Sequence, residues 1–167
     1  DVEFPKGWGP LARKVTASKY FYGQKDTPER EYSARQLSDR VSSTMAEWGI
    51  KQKYFSSQEE ANAFRDELAY MHLDQKMAFN SPVWFNVGTD KVAGEGTKEQ
   101  KRTYIVGHNG EPMLLPVGKE RVYPQTPACF IQSVGDTMEE IMELAVNEAL
   151  LFKYGSGTGS NLSTLIY

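Results

Sequence analysis

The stretch from Cys129 to Asn161 constrains the fold of this chain more than any other part. Ala128-Cys129-Phe130-Ile131-Gln132-Ser133-Val134 reads as a buried strand, and Asp136 with Glu139 three residues on reads as the N-cap of a helix running to about Tyr154. Along that helix Met138, Ile141, Met142, Ala145, Ala149 and Phe152 fall on one face, as packing against a sheet requires. Gly155-Ser156-Gly157-Thr158-Gly159-Ser160-Asn161 follows. Strand, helix and glycine run in that order point to α/β organisation. These pieces cannot complete a sheet, so the remaining strands are expected from another segment, and the chain reads as a fragment of something longer.

The glycine run is not a known phosphate cradle. A Walker-type loop needs Lys-Ser/Thr after its last glycine, and here Ser160-Asn161 follows Gly159. The dinucleotide fingerprint runs G-x-G-x-x-G between a strand and a helix start, whereas these glycines run G-x-G-x-G and come after a helix. What remains is close backbone approach to a ligand or a helix-to-strand turn with positive φ, and the residues alone favour the turn.

Upstream the chain reads as helical. Thr27-Pro28 is an N-cap and N1 pair, and Ala34, Leu37, Val41, Met45 and Trp48 recur at helical spacing until Gly49. Ser57 with Glu60 forms a capping box for a second helix carrying Ala61, Phe64, Leu68 and Met71. Pro82 then disfavours a continuing helix and moves Phe79 to Asn86 toward an extended or turn conformation. Gly88 to Arg102 is an expected exposed loop. Tyr104–Val106 and Met113–Val117 resemble a hairpin about Asn109-Gly110, weakened by Pro112 and Pro116. His108 has no second histidine or carboxylate at ligand spacing and reads as a surface turn residue; no metal site is expected.

Composition narrows the function classes. With 40% hydrophobic and 12% aromatic residues the chain can build a core, and a net charge of −3 with dispersed lysines and arginines argues against nucleic-acid binding. No run of roughly 18 apolar residues spans a membrane, and the first residues lack a secretory pattern. A single cysteine without a signal fits the reducing cytosol. That cysteine, Cys129, is either a redox centre whose partner lies elsewhere or an inert core thiol.

Three segments carry a family resemblance: Phe79-Asn80-Ser81-Pro82-Val83-Trp84-Phe85-Asn86, Pro127-Ala128-Cys129-Phe130-Ile131-Gln132-Ser133-Val134, and Leu151 to Ser163. They resemble the N-terminal part of the adenosylcobalamin-dependent class II ribonucleotide reductases, as do Phe4-Pro5-Lys6-Gly7-Trp8, Lys19-Tyr20-Phe21 and Thr27 to Glu31. Only the segment from about 89 to 122 is without a distinctive motif. The resemblance implies a helical N-terminal domain over residues 1–78 and the start of a ten-stranded α/β barrel over 79–167, incomplete in this chain.

It also implies a chemistry. In that family a cobalamin-derived radical makes a thiyl on one cysteine, and two further cysteines reduce the ribose 2′ position and become a disulfide. Cys129 matches one of that pair. Ser81 is then expected on the substrate diphosphate, Ala128 as backbone beside the thiol, and Gly157 as a point of close approach to the substrate. Asp136 and Lys153 match positions that bind a deoxynucleotide effector, although Asp136 also reads as an N-cap and Lys153 as a cation at a helix C-terminus. The implied partners are a ribonucleotide, the effector, a thioredoxin-type reductant, the remaining reductase segment or subunit, and other copies in a homo- or hetero-oligomer. Adenosylcobalamin is expected to be bound mainly by segments not in this chain.

The thiyl cysteine, the second reducing cysteine and the C-terminal cysteine pair have no counterpart here, and Leu165-Ile166-Tyr167 departs from the family's Leu-Arg. Two other classes therefore stand beside the reductase reading: a non-catalytic assembly module of a split reductase, and an unrelated thiol enzyme such as a peroxidase. The last lacks an activating histidine or arginine near Cys129 in sequence.

Overall fold

A computed structural model describes residues 2–94, 96, 103–107, 109–153 and 155–166. The first half is helical. Pro10–Val15 (α1) passes into a single π-helical turn, Thr16–Tyr20, and two longer helices follow, Ala34–Lys51 (α2) and Gln58–Leu73 (α3). The expected stripe of α2 faces the core: Leu37 and Val41 are buried beside Phe21, Val83, Trp84 and Val87, with Met45 and Trp48 packed against them. α3 starts as read, with the Ser57 hydroxyl accepting from the Glu60 N–H. The return arm of the capping box lands one residue early, because the Glu60 carboxylate accepts from the N–H and hydroxyl of Ser56.

Three helix signals resolve differently from the reading. α2 begins at Ala34, capped by Ser33, whose hydroxyl accepts from the Gln36 N–H. Thr27-Pro28 forms a turn instead, because Arg30 and Glu31, two and three residues after the proline, are committed elsewhere. The Arg30 guanidinium donates to the carbonyls of Ala17, Phe21 and Gly23, and Glu31 accepts from the Tyr22 N–H. Gly49 does not end the helix, which runs on to Lys51; it is the place where the Phe55 ring lies on α2. Pro82 does not open an extended segment. It stands in the first turn of a short helix, Ser81–Asn86 (α4), where its missing N–H costs nothing, and Asn80 caps that turn by accepting from Val83 N.

α4 belongs physically with the helical half, since Val83, Trp84 and Val87 are core residues. Packing therefore runs on past residue 78. A one-turn helix, Asp90–Ala93 (α5), follows. The expected hairpin forms: Tyr104–Val106 (β1) pairs antiparallel with Pro112–Leu114 (β2), Ile105 opposite Met113. His108 lies outside the described residues, as does much of the expected 88–102 loop.

The last part is a β–α–β unit. Cys129–Ser133 (β3) and Gly157–Asn161 (β4) are parallel neighbours joined through helix Met138–Lys153 (α6). The coarse expectation of α/β organisation is met, with three differences. The cap of α6 is Thr137, whose hydroxyl accepts from Glu140 N and donates to the Glu140 carboxylate. Asp136 is turned to the C-terminal segment instead, where its Oδ1 accepts from Ile166 N. The glycine run is itself a strand; the turn is confined to Gly155, at φ +83°. β3 is exposed rather than buried, with Ile131 86% accessible, because two strands and one helix leave a sheet face uncovered.

α6 shows the same effect. Ile141, Leu144, Glu148 and Leu151 are its half-buried residues, along one stripe, while Met138, Met142 and Phe152 of the expected face stay exposed. The helix thus carries two apolar faces about a quarter-turn apart, and periodicity alone picked the one that this chain leaves open. Among the described residues no helix is long and apolar enough to cross a membrane.

Candidate functional site

Parallel pairing sets the centre of the site. Cys129 stands opposite Gly157 in the β3–β4 register, and the Gly157 N–H donates to the Ala128 carbonyl at 2.6 Å. Three sequence-predicted residues are thereby brought into contact by backbone geometry alone. Cys129 is exposed. Gly157 is not at positive φ, and a Cβ placed on it would meet only the Ala128 carbonyl, at an ordinary 3.7 Å. Neither backbone conformation nor packing within this chain calls for glycine there.

The strand start is pinned by a small polar network that the sequence reading missed. The Ser156 hydroxyl donates to the Pro127 carbonyl at 2.8 Å. The Gln125 side-chain amide donates to that same carbonyl and to Ser156 Oγ, both at 2.8 Å. Asn86 of α4 donates to the Gln125 carbonyl at 2.8 Å, so the network ties the helical half to the approach of Cys129. Its only sequence signal was the placing of Asn86 and Ser156 inside the matched motifs; Gln125 lies outside them.

Ser81 is the first residue of α4, and its hydroxyl shares a 3.1 Å hydrogen bond with the Tyr20 hydroxyl. The Tyr20 ring stacks on Phe85, one turn along α4, at 5.4 Å between centroids. Phe85 in turn lies against Gly155, its ring edge 3.1 Å from where a Cβ there would stand. Ser81 is therefore coupled to the β4 end of the site through Phe85.

α4 is itself fixed from below. Arg40 of α2 donates to the Trp84 carbonyl at 2.9 Å and to the Val87 carbonyl, and its Nε meets the Glu31 carboxylate at 2.7 Å. The pair is buried, with 4% and 6% of the two side chains accessible, so the guanidinium is compensated by the carboxylate and by two carbonyls. Gly88, at φ +73°, closes the turn after α4 where a Cβ would strike Arg40 and Thr44.

Asp136 and Lys153 are not brought together. They flank opposite ends of α6, roughly 24 Å apart by helical rise. Both are exposed. Among the described residues no group of three or more metal-ligating side chains could hold a metal ion.

Comparison with known proteins settles the family. Residues 1–75 match the family model described as class II vitamin B12-dependent ribonucleotide reductase, and residues 127–165 match the barrel domain of ribonucleotide reductases. The chain belongs to the class II ribonucleotide reductase family. A vitamin B12-dependent ribonucleotide reductase of Rhodopirellula baltica is 46% identical over 166 residues, covering 99% of this chain and 16% of the relative. One of Agrobacterium fabrum is 48% identical over 201 residues, with 99% and 16% covered. A vitamin B12-dependent ribonucleoside-diphosphate reductase of Thermoplasma acidophilum is 49% identical over 54 residues, 32% of this chain and 7% of the relative. The chain thus spans about 16% of the length of these two longer-matched reductases.

Proposed function

We propose that this chain supplies one reducing thiol and part of the substrate and effector sites of a ribonucleoside-diphosphate reductase. The observation that supports it is the pairing of exposed Cys129 with Gly157, a glycine that the chain's own packing does not explain. A glycine beside the thiol leaves room for a ribose at the sulfur. In the reaction the C2′–O bond breaks and water leaves, a C2′–H bond forms, and two S–H groups become one S–S bond. Cys129 provides one of those thiols and a cysteine outside this chain the other; a thioredoxin-type dithiol then restores both in the reducing cytosol.

Ser81 holds the substrate diphosphate, with the Tyr20 hydroxyl orienting it, while Ala128 presents backbone beside the thiol and Gly157 admits the sugar. β3, α6 and β4 are the opening elements of a ten-stranded barrel completed by the rest of the polypeptide. Asp136 and Lys153 bind effector at the two ends of α6, each completed by groups from other segments or from another copy in the oligomer.

Adenosylcobalamin supplies the initiating radical when bound, but the residues described here do not fit it. A corrin with its appended nucleotide is larger than the cavities of about 460, 570 and 580 Å³ among the described residues, which agrees with a cofactor held by other segments.

Cys129→Ser tests the role. In the full-length reductase it should abolish deoxynucleotide formation while changing substrate affinity by less than about 1 kcal/mol, since serine keeps the shape and loses the reducing equivalents. Turnover that survives the substitution would remove Cys129 from the reducing pair and favour the assembly-module reading.

A further inference from the structure

Cys129 takes its position from a junction just ahead of β3. Pro127 has no N–H to give to a neighbouring strand, and its carbonyl stands one residue before Ala128, where bonding to β4 begins through the Gly157 N–H. Three hydrogens meet there. The Gln125 amide gives one to the Pro127 carbonyl and the other to Ser156 Oγ, and the Ser156 hydroxyl gives its own to the same carbonyl, each at 2.8 Å. Both lone pairs of the carbonyl are used, so every role in the triangle is fixed. A flipped amide would set oxygen against the carbonyl. The observed orientation is kept although it leaves Gln125 Oε1 buried and without a partner among the described residues. Ser156 is buried as well.

Gln125 also reaches the other half of the site, because its backbone carbonyl accepts from the Asn86 side chain at 2.8 Å. Asn86 is the last residue of α4 and Ser81 the first, about 7.5 Å apart along the helix axis. Phe85, next to Asn86, rests against Gly155 at the turn into β4. α4 is held in turn by Arg40 through the carbonyls of Trp84 and Val87. An unbroken run of hydrogen bonds thus leads from the helix of Ser81 through Gln125 to the strand pair of Cys129.

A reducing thiol must meet the C2′ carbon of a substrate whose phosphates are held elsewhere, so the span from phosphate anchor to sulfur governs the rate. A displacement of about 1 Å from reactive geometry costs roughly 100-fold. We propose that Asn86, Gln125 and Ser156 are positioning residues that set this span, with α4 as its rigid length. The inference rests on the roles given above to Ser81 and Cys129, and assigns to neither of them the work of holding the other in place.

A single turnover by the prereduced full-length enzyme, with adenosylcobalamin, a ribonucleoside diphosphate and no external dithiol, separates speed from competence. Peptide mass spectrometry follows closure of the Cys129 disulfide; its amplitude counts correctly folded molecules and its rate reports placement. Gln125→Met and Asn86→Leu keep bulk and remove the donors. Each should slow closure roughly tenfold or more while the amplitude stays near that of the unaltered enzyme. Diamide closes the same dithiol without substrate, its azo bond taking up the two hydrogens, and Asn86→Leu should leave that rate within about twofold, since α4 has no part in it. Unchanged single-turnover rates in both variants, a loss of amplitude equal to the loss of activity, or slow diamide closure in Asn86→Leu would each overturn the positioning role. Absence of Cys129 from the disulfide in the unaltered enzyme would defeat the thiol reading itself, and this proposal with it.

Discussion

Asp136 is the residue at which two roles separate most cleanly, because the structure has relieved it of helix capping. Thr137 caps α6, and the Asp136 carboxylate holds Ile166 N at 2.8 Å through one oxygen. Asp136→Asn keeps an acceptor oxygen for that bond, so it should leave stability within about 0.5 kcal/mol, as surface changes usually do. If the carboxylate also accepts from an effector base, the same change replaces an acceptor with a donor and alters which ribonucleotide is preferred. Lys153→Met removes a charge while keeping most of the apolar stem. Substrate preference of the full-length reductase across the four ribonucleotides, with and without each deoxynucleotide, is the measurement. Patterns unchanged in both variants would leave Asp136 as a tether of the C-terminal segment and Lys153 as a solvated cation.

At the scale of elements, α4 is six residues long and owes its place to others. Asn80 holds its first turn, and Arg40, compensated by Glu31, holds its last carbonyls. Glu31→Gln should destabilise the helical half by roughly 3 kcal/mol, since it strands a buried guanidinium, whereas Glu31→Leu with Arg40→Leu should recover much of the loss. Urea unfolding of the three proteins decides it, and a loss below about 1 kcal/mol for Glu31→Gln would show that the carbonyls alone satisfy Arg40. This clamp also explains what the sequence could and could not tell. The α2 and α3 stripes, the Ser57 cap and the Asn-Gly hairpin were legible because each is local. The start of α2 was misread because Arg30 and Glu31 are drawn away by carbonyls and an N–H group 7 to 13 positions back, beyond the reach of a helix-start pattern. The site divides in the same way. Motif matching marked Cys129, Ala128, Gly157 and Ser81, while the Asn86–Gln125–Ser156 network and Tyr20–Ser81 depend on pairs 39, 31 and 61 positions apart, which no local pattern encodes.

For the whole molecule the dominant fact is uncovered apolar surface. Met138, Met142, Val146 and Phe152 on α6 and Ile131 on β3 are exposed, a distribution that marks surfaces awaiting a partner. Residues 1–167 alone should therefore sediment as a concentration-dependent mixture, and Met142→Glu with Phe152→Glu should shift it toward monomer. A unaltered chain that stays monomeric at all concentrations and unfolds cooperatively would count against an unfinished barrel. The Arg40 clamp has one more consequence, and it concerns time. All of its partners lie between Glu31 and Val87, so the helical half can close while later residues are still being synthesised, as domains commonly do from the N-terminus. β3 and β4 then emerge to meet a surface already set, with Phe85 ready for Gly155 and Asn86 for Gln125. The ribosome thus delivers Cys129 to a platform on which Ser81 has already been stationed.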